Sequence, residues 1–270
     1  MCSYCDTKPI IQKWYQKLNF DSKYDAAFYQ ALEDISIPAS TTIMNYPMDC
    51  LDGKRNLLSY LYMCEELKRK YKEKGISETI LMDTLQDLVR WCNVWSELKG
   101  ELYLGEIAWL SNHMAFKLFR LGRLQFAIQK GNANFEKFGK KNGEIYIGIH
   151  IPPSDPLLPE ACNASIAMAR AFFATYFPEV SYTYFATNTW LLDDTLKEIL
   201  PEGSNILRFG DLFEKVYTEK SDDILRYVFG WNITRENYEN CPCKSSLAVK
   251  VKKAYEEGKD FYITRGIINK

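Results

Sequence analysis

Apolar residues in the first 122 positions recur with the period of an α-helix. Asp21 precedes the first apolar stripe and Gly75 follows the second. The stripes consist of Tyr24, Phe28, Ala31 and Ile35; of Leu57, Leu61, Cys64 and Tyr71; of Leu81, Leu85, Leu88, Cys92 and Trp95; and of Ile107, Leu110, Met114, Leu118 and Leu121. Such spacing places each set on one face of a helix, as helix packing requires. We predict a helical domain over residues 1–122 that ends at Gly122.

From residue 123 onward the spacing between apolar residues shortens from about 3.6 towards two positions, which indicates β-strands. The Asn142-Gly143 turn signal predicts that the first two strands are antiparallel, and the long helix after them predicts a parallel third strand. We predict an α+β protein whose second domain, residues 123–270, is a mixed sheet with covering helices. The predicted strands are 123–129, 144–151, 182–190, 204–209 and an edge strand at 261–264, and the predicted helices are 159–177, 193–200 and 245–257.

Bulk properties exclude several classes of partner. The 270 residues carry a net charge of -1, with a pI of about 6.2, so no overall field favours nucleic acid or an anionic membrane. No apolar run reaches the ~20 residues that span a bilayer, and the N-terminus lacks the pattern of a signal peptide. We expect a cytoplasmic protein, in which Cys50, Cys64, Cys92 and Cys162 are reduced core thiols.

Two close cysteine pairs offer a different chemistry. Cys2 and Cys5 near the start, with Cys241 and Cys243 near the end, supply four thiolates, which is the ligand number of a structural zinc site. A pair separated by one residue is a less usual half-site than a pair separated by two. We therefore predict no metal and interpret these four residues as unliganded thiols.

His150 is the best candidate for a catalytic base. It ends a strand pattern in which four isoleucines occupy the opposite face, it precedes Pro152 and Pro153, and imidazole titrates near neutral pH. The alternative is a strand-end histidine that bonds a backbone carbonyl. Glu106 is a second possible base, whereas His113, inside a helix, is interpreted as structural. Motifs of P-loop nucleotide hydrolysis, α/β-hydrolases, metalloproteases and dinucleotide-dependent oxidoreductases are absent from the sequence.

The order strand, loop, helix, strand, helix, strand resembles the C-terminal half of the GNAT N-acyltransferases. The segments 120–126, 150–152, 189–193 and 204–209 are similar to those of bacterial acyltransferase-domain proteins, which pair a helical N-terminal domain with a GNAT-like C-terminal domain. The resemblance implies transfer from acetyl-CoA or another acyl-CoA to a small amine. It also implies that the strand over 182–190 splays from the strand that ends at His150, and that the gap admits the cofactor arm.

Site residues follow from the resemblance. Asn163 and Ser165, in the helix after the second strand, would bind the cofactor pyrophosphate, and amides near Phe185 and Thr187 would polarise the thioester. The expected substrate-binding residues are Arg123 and Gln125, on the exposed face of the first strand, and Tyr184 and Asn188, on one face of the third. The loop over 152–165 departs from the family pattern because it has no glycine, four prolines and two carboxylates. A non-catalytic binding or interaction module on the same fold is therefore the alternative.

Overall fold

The computed structural model describes residues 7–45, 52–132, 135–136, 140–153 and 155–270. The chain divides into two compact units, Met1–Leu121 and Gly122–Lys270. Cys2, Cys5 and Cys50 lie outside the described residues. Cys2 and Cys5 are two of the four cysteines considered as zinc ligands. Across the described ranges, no three histidine, cysteine, aspartate or glutamate residues are grouped as a metal site requires. No helix in this described part is long and apolar enough to cross a bilayer.

The first unit is helical, as its apolar stripes predict. Asp52 caps α3 through its side chain, while α4 begins after Ser77 and ends at Gly100, whose φ of 72° suits glycine. Leu57, Leu61, Leu81 and the other stripe residues of α3 and α4 are buried. The helices described in this unit are α1 (Lys8–Leu18), α2 (Asp25–Asp34), α3 (Gly53–Glu73), α4 (Glu78–Lys99) and α5 (Ile107–Met114).

The predicted helix over 107–121 is wrong in its second half. α5 ends at Met114, Phe116 takes a positive φ of 57°, and β1 (Leu118–Leu121) follows. Leu118, Phe119 and Leu121 are all buried, and a short continuous apolar run of this kind fits a strand as well as a helix. Helical spacing alone therefore did not distinguish the two.

The second unit contains five strands of one sheet, in the order β2, β3, β4, β6, β5. β2 and β3 are antiparallel, and β3 and β4 are parallel, which confirms both predictions. The helix α6 (Pro159–Tyr176) makes the crossover between the parallel strands. The strands are β2 (Leu124–Lys130), β3 (Ile145–His150), β4 (Tyr184–Thr189), β5 (Glu214–Lys220) and β6 (Tyr262–Asn269).

Two strand assignments after β4 are corrected. The predicted strand over 204–209 is the helix α8 (Asn205–Gly210), which Ser204 caps by accepting a hydrogen bond from Leu207 N at 3.4 Å. The segment over 261–264 begins β6, which lies between β4 and β5 and is not an edge. The remaining helices described are α7 (Leu196–Ile199), α9 (Asp223–Phe229) and α10 (Ser246–Glu256).

Each face of the sheet has its own core. On the side of α6, Phe173 meets Tyr182 at a ring distance of 6.0 Å, and Tyr182 meets Phe185 at 5.3 Å. On the other side, Tyr146 and Tyr184 stack at 5.5 Å. Phe135, Ala186 and Ile267 complete that second cluster. The two cores pack against the strands on opposite faces of the sheet.

Candidate active site

β3 and β4 pair over a short length and then separate. Among the described residues, the register joins Ile147 to Phe185 and Gly148 to Ala186, and these are its two pairs. Ile149 and His150 on one strand, and Thr187 to Thr189 on the other, continue beyond the paired segment. Two parallel strands that part in this way leave an open wedge at their carboxyl ends, where ligands bind in open α/β sheets.

The backbone of Asn188 is directed into this wedge. Lys270 N donates a hydrogen bond to Thr183 O at 3.2 Å, and β4 and β6 are antiparallel with Tyr184 opposite Asn269. Because hydrogen-bonded pairs alternate along an antiparallel ladder, Phe185 and Thr187 direct their N–H and C=O groups at β6. Asn188 therefore directs its own N–H and C=O at the side of β3.

The same alternation turns the backbone of Ile149 towards β4. Gly131 N donates to Glu144 O at 2.9 Å, and β2 and β3 are antiparallel with Lys130 opposite Ile145. The hydrogen-bonded pairs with β2 are then those of Tyr146, Gly148 and His150, so Ile149 directs its groups away from β2. The wedge is thus bordered by two strand backbones that are separated at Ile149 and Asn188.

A cleft of about 450 Å³ occupies the wedge and continues along the loop after β3. His150 and Asn188 contribute polar side chains to it, and Ile149, Leu157 and Ile206 contribute apolar ones. Its remaining described lining consists of Arg123, Ile151, Pro152, Pro153, Asp155, Pro156, Thr187, Thr189, Trp190, Leu191, Asn205 and Tyr227. The cleft has the form of a small-molecule site, largely apolar with a few convergent polar groups.

His150 and Asn188 lie on the same side of the sheet. Gly148 is opposite Ala186 in the parallel register, so His150 and Asn188, two residues further on each strand, project from the same face. His150 is half-buried and Asn188 is exposed. The Nε2 atom of Gln129, on β2, lies 3.4 Å from Nε2 of His150. The predicted base is therefore in the cleft and next to a carboxamide.

Arg123 does not present its guanidinium to a substrate, contrary to the prediction of an exposed strand residue. The side chain is buried and donates to three backbone carbonyls, those of Pro152 at 2.8 Å, Asp155 at 2.6 Å and Pro156 at 3.2 Å. A planar guanidinium suits this task because it offers several donors in fixed directions. Arg123 thereby holds the proline loop that forms one wall of the cleft.

The start of α6 supplies backbone donors. Pro159 is the first helical residue, Leu158 gives no side-chain cap, and Cys162 N donates an i→i−4 hydrogen bond to Leu158 O at 3.0 Å. The N–H groups of Glu160 and Ala161 therefore belong to the first turn, which has no intrahelical acceptors. Glu160 forms an ion pair with Arg208 of α8 at 3.2 Å. This turn, with its positive end of the helix dipole, suits an anion.

The side chains of Asn163 and Ser165 were expected to bind a cofactor and do not line the cleft in the described structure. Asn163 is exposed on the outside of α6. Ser165 is buried, and its Oγ accepts hydrogen bonds from Arg123 N at 2.7 Å and Leu124 N at 3.2 Å. The Ser165 hydroxyl fixes the start of β2 to α6, which is a structural task.

Three further predicted residues are buried in the sheet. Tyr184 stacks on Tyr146 in the core and is not in the described cleft lining. Its hydroxyl has no hydrogen-bond partner in the part of the chain that the structure describes. Phe185 lies under α6, with its backbone towards β6. Thr187 does line the cleft. Gln125 is buried opposite His150, and its Nε2 atom has no hydrogen-bond partner among the described residues. The prediction of an exposed Gln125 is thus corrected.

A family model described as the GNAT-like C-terminal domain matches residues 118–268, which is more than half of the chain. The chain belongs to the GNAT-like family. A second model, the N-acyltransferase N-terminal domain, matches residues 10–116 of this GNAT-like protein. No curated protein sequence matches it significantly. The resemblance to GNAT-like N-acyltransferases inferred from the sequence is confirmed.

Solved structures of acyltransferases are similar to this GNAT-like protein. An acyltransferase in complex with decanoyl-CoA and teicoplanin has 26% identity and a TM-score of 0.70, and the match covers 80% of this chain and 66% of that one. An acyltransferase in complex with decanoyl-CoA has 28% identity and a TM-score of 0.69, with 78% and 64% covered. The chain therefore spans just under two thirds of the length of these structures.

Some cleft residues of the GNAT-like protein that follow β4 were not predicted from the sequence. Asn205 begins α8, and Tyr227 of α9 lies 6.2 Å from Trp190 between ring centroids. Ser204 three residues before Leu207 is an N-cap signal that could have identified α8. Tyr227 had no comparable signal, because its place follows from the unpredicted strand β5.

Burial keeps two reactive side chains of the domain neutral. Burial raises the pKa of Tyr184 to about 12, with the negative charge of Glu144 contributing in the same direction. Burial also raises the pKa of the Cys162 thiol, and the positive charge of Arg123 opposes it only in part. A thiolate is the nucleophilic form of cysteine, so Cys162 is not suited to form a covalent acyl intermediate.

Proposed function

We propose that this GNAT-like protein is an acyl-CoA-dependent N-acyltransferase that acts on a small amine. The observation that carries the proposal is the separation of β3 and β4, which leaves the C=O of Ile149 and the N–H of Asn188 directed into a cleft. The solved acyltransferases crystallised with decanoyl-CoA support the choice of donor. The family description as an N-acyltransferase supports an amine acceptor.

The wedge fits the arm of an acyl-CoA. That arm is extended and carries two amide groups, so it can hydrogen-bond to a strand edge as a peptide does. Ile149 and Asn188 offer such edges on opposite sides of the gap. The N–H groups of Glu160 and Ala161 then provide donors for pyrophosphate, and Arg208 adds a positive charge beside them.

In the proposed reaction, the amine nitrogen attacks the thioester carbonyl carbon directly. A C–N bond forms, the C–S bond breaks, and CoA leaves as a thiolate that takes up a proton. His150 accepts the proton that the amine loses, and the N–H of Asn188 is the strand donor placed to stabilise charge on the carbonyl oxygen. This assignment moves the predicted thioester contact from Phe185 and Thr187 to Asn188.

A non-catalytic binding module is the second candidate. The loop between β3 and α6 favours it, because Pro152, Pro153, Pro156 and Pro159 have no N–H to donate to phosphate. Asp155 lines the cleft and would repel an anion. The two candidates share the cleft and differ in whether acyl-CoA binds and reacts.

We further propose that the protein acts in the cytoplasm. Cys64, Cys92 and Cys162 are buried and unpaired within the described structure, as thiols are in a reducing compartment. The net charge of -1 gives no support to a nucleic-acid partner.

A thermal-shift titration with acetyl-CoA and decanoyl-CoA separates the two candidates. A ligand at 100 times its dissociation constant should stabilise the fold by about 2.7 kcal/mol. Absence of a shift with both donors would reject the transferase and favour the module. If donor binds, release of the CoA thiol in the presence of amines measures transfer.

His150→Ala tests the base. We expect turnover to fall by about 10²-fold to 10⁴-fold, with the thermal shift from acyl-CoA unchanged. Asn163→Ala is the matched control, because Asn163 is exposed and outside the described cleft lining. Unchanged turnover of the His150 variant would reject the assignment of the base while leaving the donor site intact.

A further inference from the structure

The side chain of Gln129 extends along one face of the sheet and contacts His150. Gln129 is opposite Tyr146 and His150 is opposite Gln125, so four positions separate them along β3. Despite this separation, the Gln129 carboxamide nitrogen lies 3.4 Å from Nε2 of His150. The glutamine side chain must therefore extend along the strand to meet the ring.

The absence of a side chain at Gly148 makes this path available. Ala127 and Gly148 are opposite each other and lie between the two glutamine-bearing pairs. A Cβ atom added at Gly148 would lie 2.5 Å from Oε1 of Gln129 and 3.2 Å from its Nε2. The Gln129 carboxamide thus occupies the volume that any other residue at position 148 would fill.

The contact bears on the proton that His150 carries. A neutral imidazole has one N–H and one lone pair, and the partner of one nitrogen selects which nitrogen is protonated. A half-turn of the carboxamide exchanges its oxygen and nitrogen in the same place. In the structure the carboxamide nitrogen faces the ring, an orientation in which its N–H donates to Nε2 and the ring proton is on Nδ1. With the oxygen turned towards the ring, Gln129 accepts a hydrogen bond from Nε2–H and the lone pair is on Nδ1. Of the two orientations, this second one leaves a neutral His150 a lone pair for the proposed role as base.

We propose that Gln129 is the positioning residue of His150, and that it fixes the tautomer whose Nδ1 atom accepts the proton of the amine. This inference rests on the proposed function for its role in turnover, whereas the hydrogen bond itself does not. The carboxamide oxygen also stabilises the imidazolium that forms, since the charged ring keeps its Nε2–H.

Nuclear magnetic resonance of the imidazole nitrogens tests the contact without any turnover. The chain has two histidines, and the resonances of His113 are assigned by their persistence in the His150→Ala variant. We expect wild-type His150 to be protonated at Nε2 when neutral. Gln129→Glu should raise its titration midpoint by about one pH unit or more, and Gln129→Met should lower it. Gln16→Glu, on the exposed face of α1, is the control for net charge and should leave it unchanged.

Gly148→Ala provides a second, independent variant. The added methyl group displaces the far end of a flexible side chain, so the fold should persist while the contact is lost. We expect the midpoint of His150 to match that of Gln129→Met, and the double variant Gly148→Ala with Gln129→Met to show no further change. Arg123, Asp155 and Tyr227 are the other titratable residues of the described cleft lining, and none of these substitutions alters them.

The outcomes separate this inference from the proposed function. An unchanged midpoint in Gln129→Glu, or an Nδ1-protonated neutral ring in the wild type, would overturn the inference even if acyl-CoA binds and reacts. Shifted midpoints in a protein that does not bind acyl-CoA would support the contact and reject the transferase. If transfer is observed, Gln129→Met should lower kcat about 10-fold or more with KM for acyl-CoA unchanged, and Gln129→Glu should move the acid limb of kcat to higher pH.

Discussion

Arg123 is the residue whose substitution tests the architecture of the cleft most severely. Its guanidinium donates to the carbonyls of Pro152, Asp155 and Pro156 at 2.6–3.2 Å, and it is buried. A hydrogen bond from a charged donor contributes about 1.5–3 kcal/mol, and carbonyls of a released loop regain water. We take the lower value for each of the three bonds. Arg123→Met should then reduce the stability of the second unit by about 4.5 kcal/mol.

Arg123→Lys gives a graded result. An ammonium is a single point donor and cannot satisfy three carbonyls in fixed directions, so we expect about two bonds to be lost, or about 3 kcal/mol. Native-state hydrogen exchange at the amides of β2 and β3 measures this loss in the second unit directly. Acyl-CoA affinity should fall in parallel, because the loop forms a wall of the cleft.

Arg170→Lys is the matched control for Arg123→Lys. Arg170 is exposed on α6 and donates to one carbonyl, that of Asn269, at 3.1 Å. Its substitution should change stability by less than about 1 kcal/mol. If Arg123→Lys is as stable as Arg170→Lys, the loop is not held by the guanidinium and the reasoning is refuted.

Three further outcomes follow from single contacts. Ser165→Ala should destabilise the second unit by about 2–4 kcal/mol in urea unfolding, because it removes the acceptor of Arg123 N and Leu124 N; a loss near zero would contradict the structural role. Gly266→Ala should cost about 1–3 kcal/mol, since its Cβ would lie 2.7 Å from Cβ of Phe213. Gly210→Ala should be tolerated, because the nearest described atom to its Cβ, Cδ2 of Leu192, lies 3.8 Å away; equal effects on Tm would refute this. Burial raises the pKa of Glu65, but hydrogen bonds from Lys13 and Trp14 and the charges of Lys13 and Lys68 outweigh it and hold the pKa below 4.5. Its contribution is therefore present above pH ~4.5 and lost as pH falls, so Glu65→Gln should flatten the acid side of the stability profile, and an unaltered profile would exclude Glu65 as a source of that slope.

The fold could be predicted where local pattern and tertiary environment agree. The alternating isoleucines of β3, the proline pair that ends it and the length of α6 determine a strand and a crossover without further information. Leu118–Leu121 and Asn205–Gly210 were misassigned because short apolar runs suit a helix or a strand equally. β5 was missed because much of it is polar and half-exposed.

The position of the candidate site could be predicted better than its residues. His150 and Asn188 follow from their places at strand ends, and both line the cleft. The roles of Arg123 and Ser165 depend on which loop and which helix come within hydrogen-bond distance, and no periodic pattern encodes that. Gln129 likewise acquires its contact through Gly148 on the neighbouring strand.

Hydrogen exchange of the Asn188 amide, with and without acyl-CoA, tests the central claim most directly. In the proposed arrangement this N–H is directed into the gap between β3 and β4 and becomes a donor to the ligand. We predict that decanoyl-CoA slows its exchange by at least about 10-fold, while the amides of Phe185 and Thr187, which bond to β6, change little. Saturating ligand that leaves Asn188 unprotected, or no binding at all, would contradict the account.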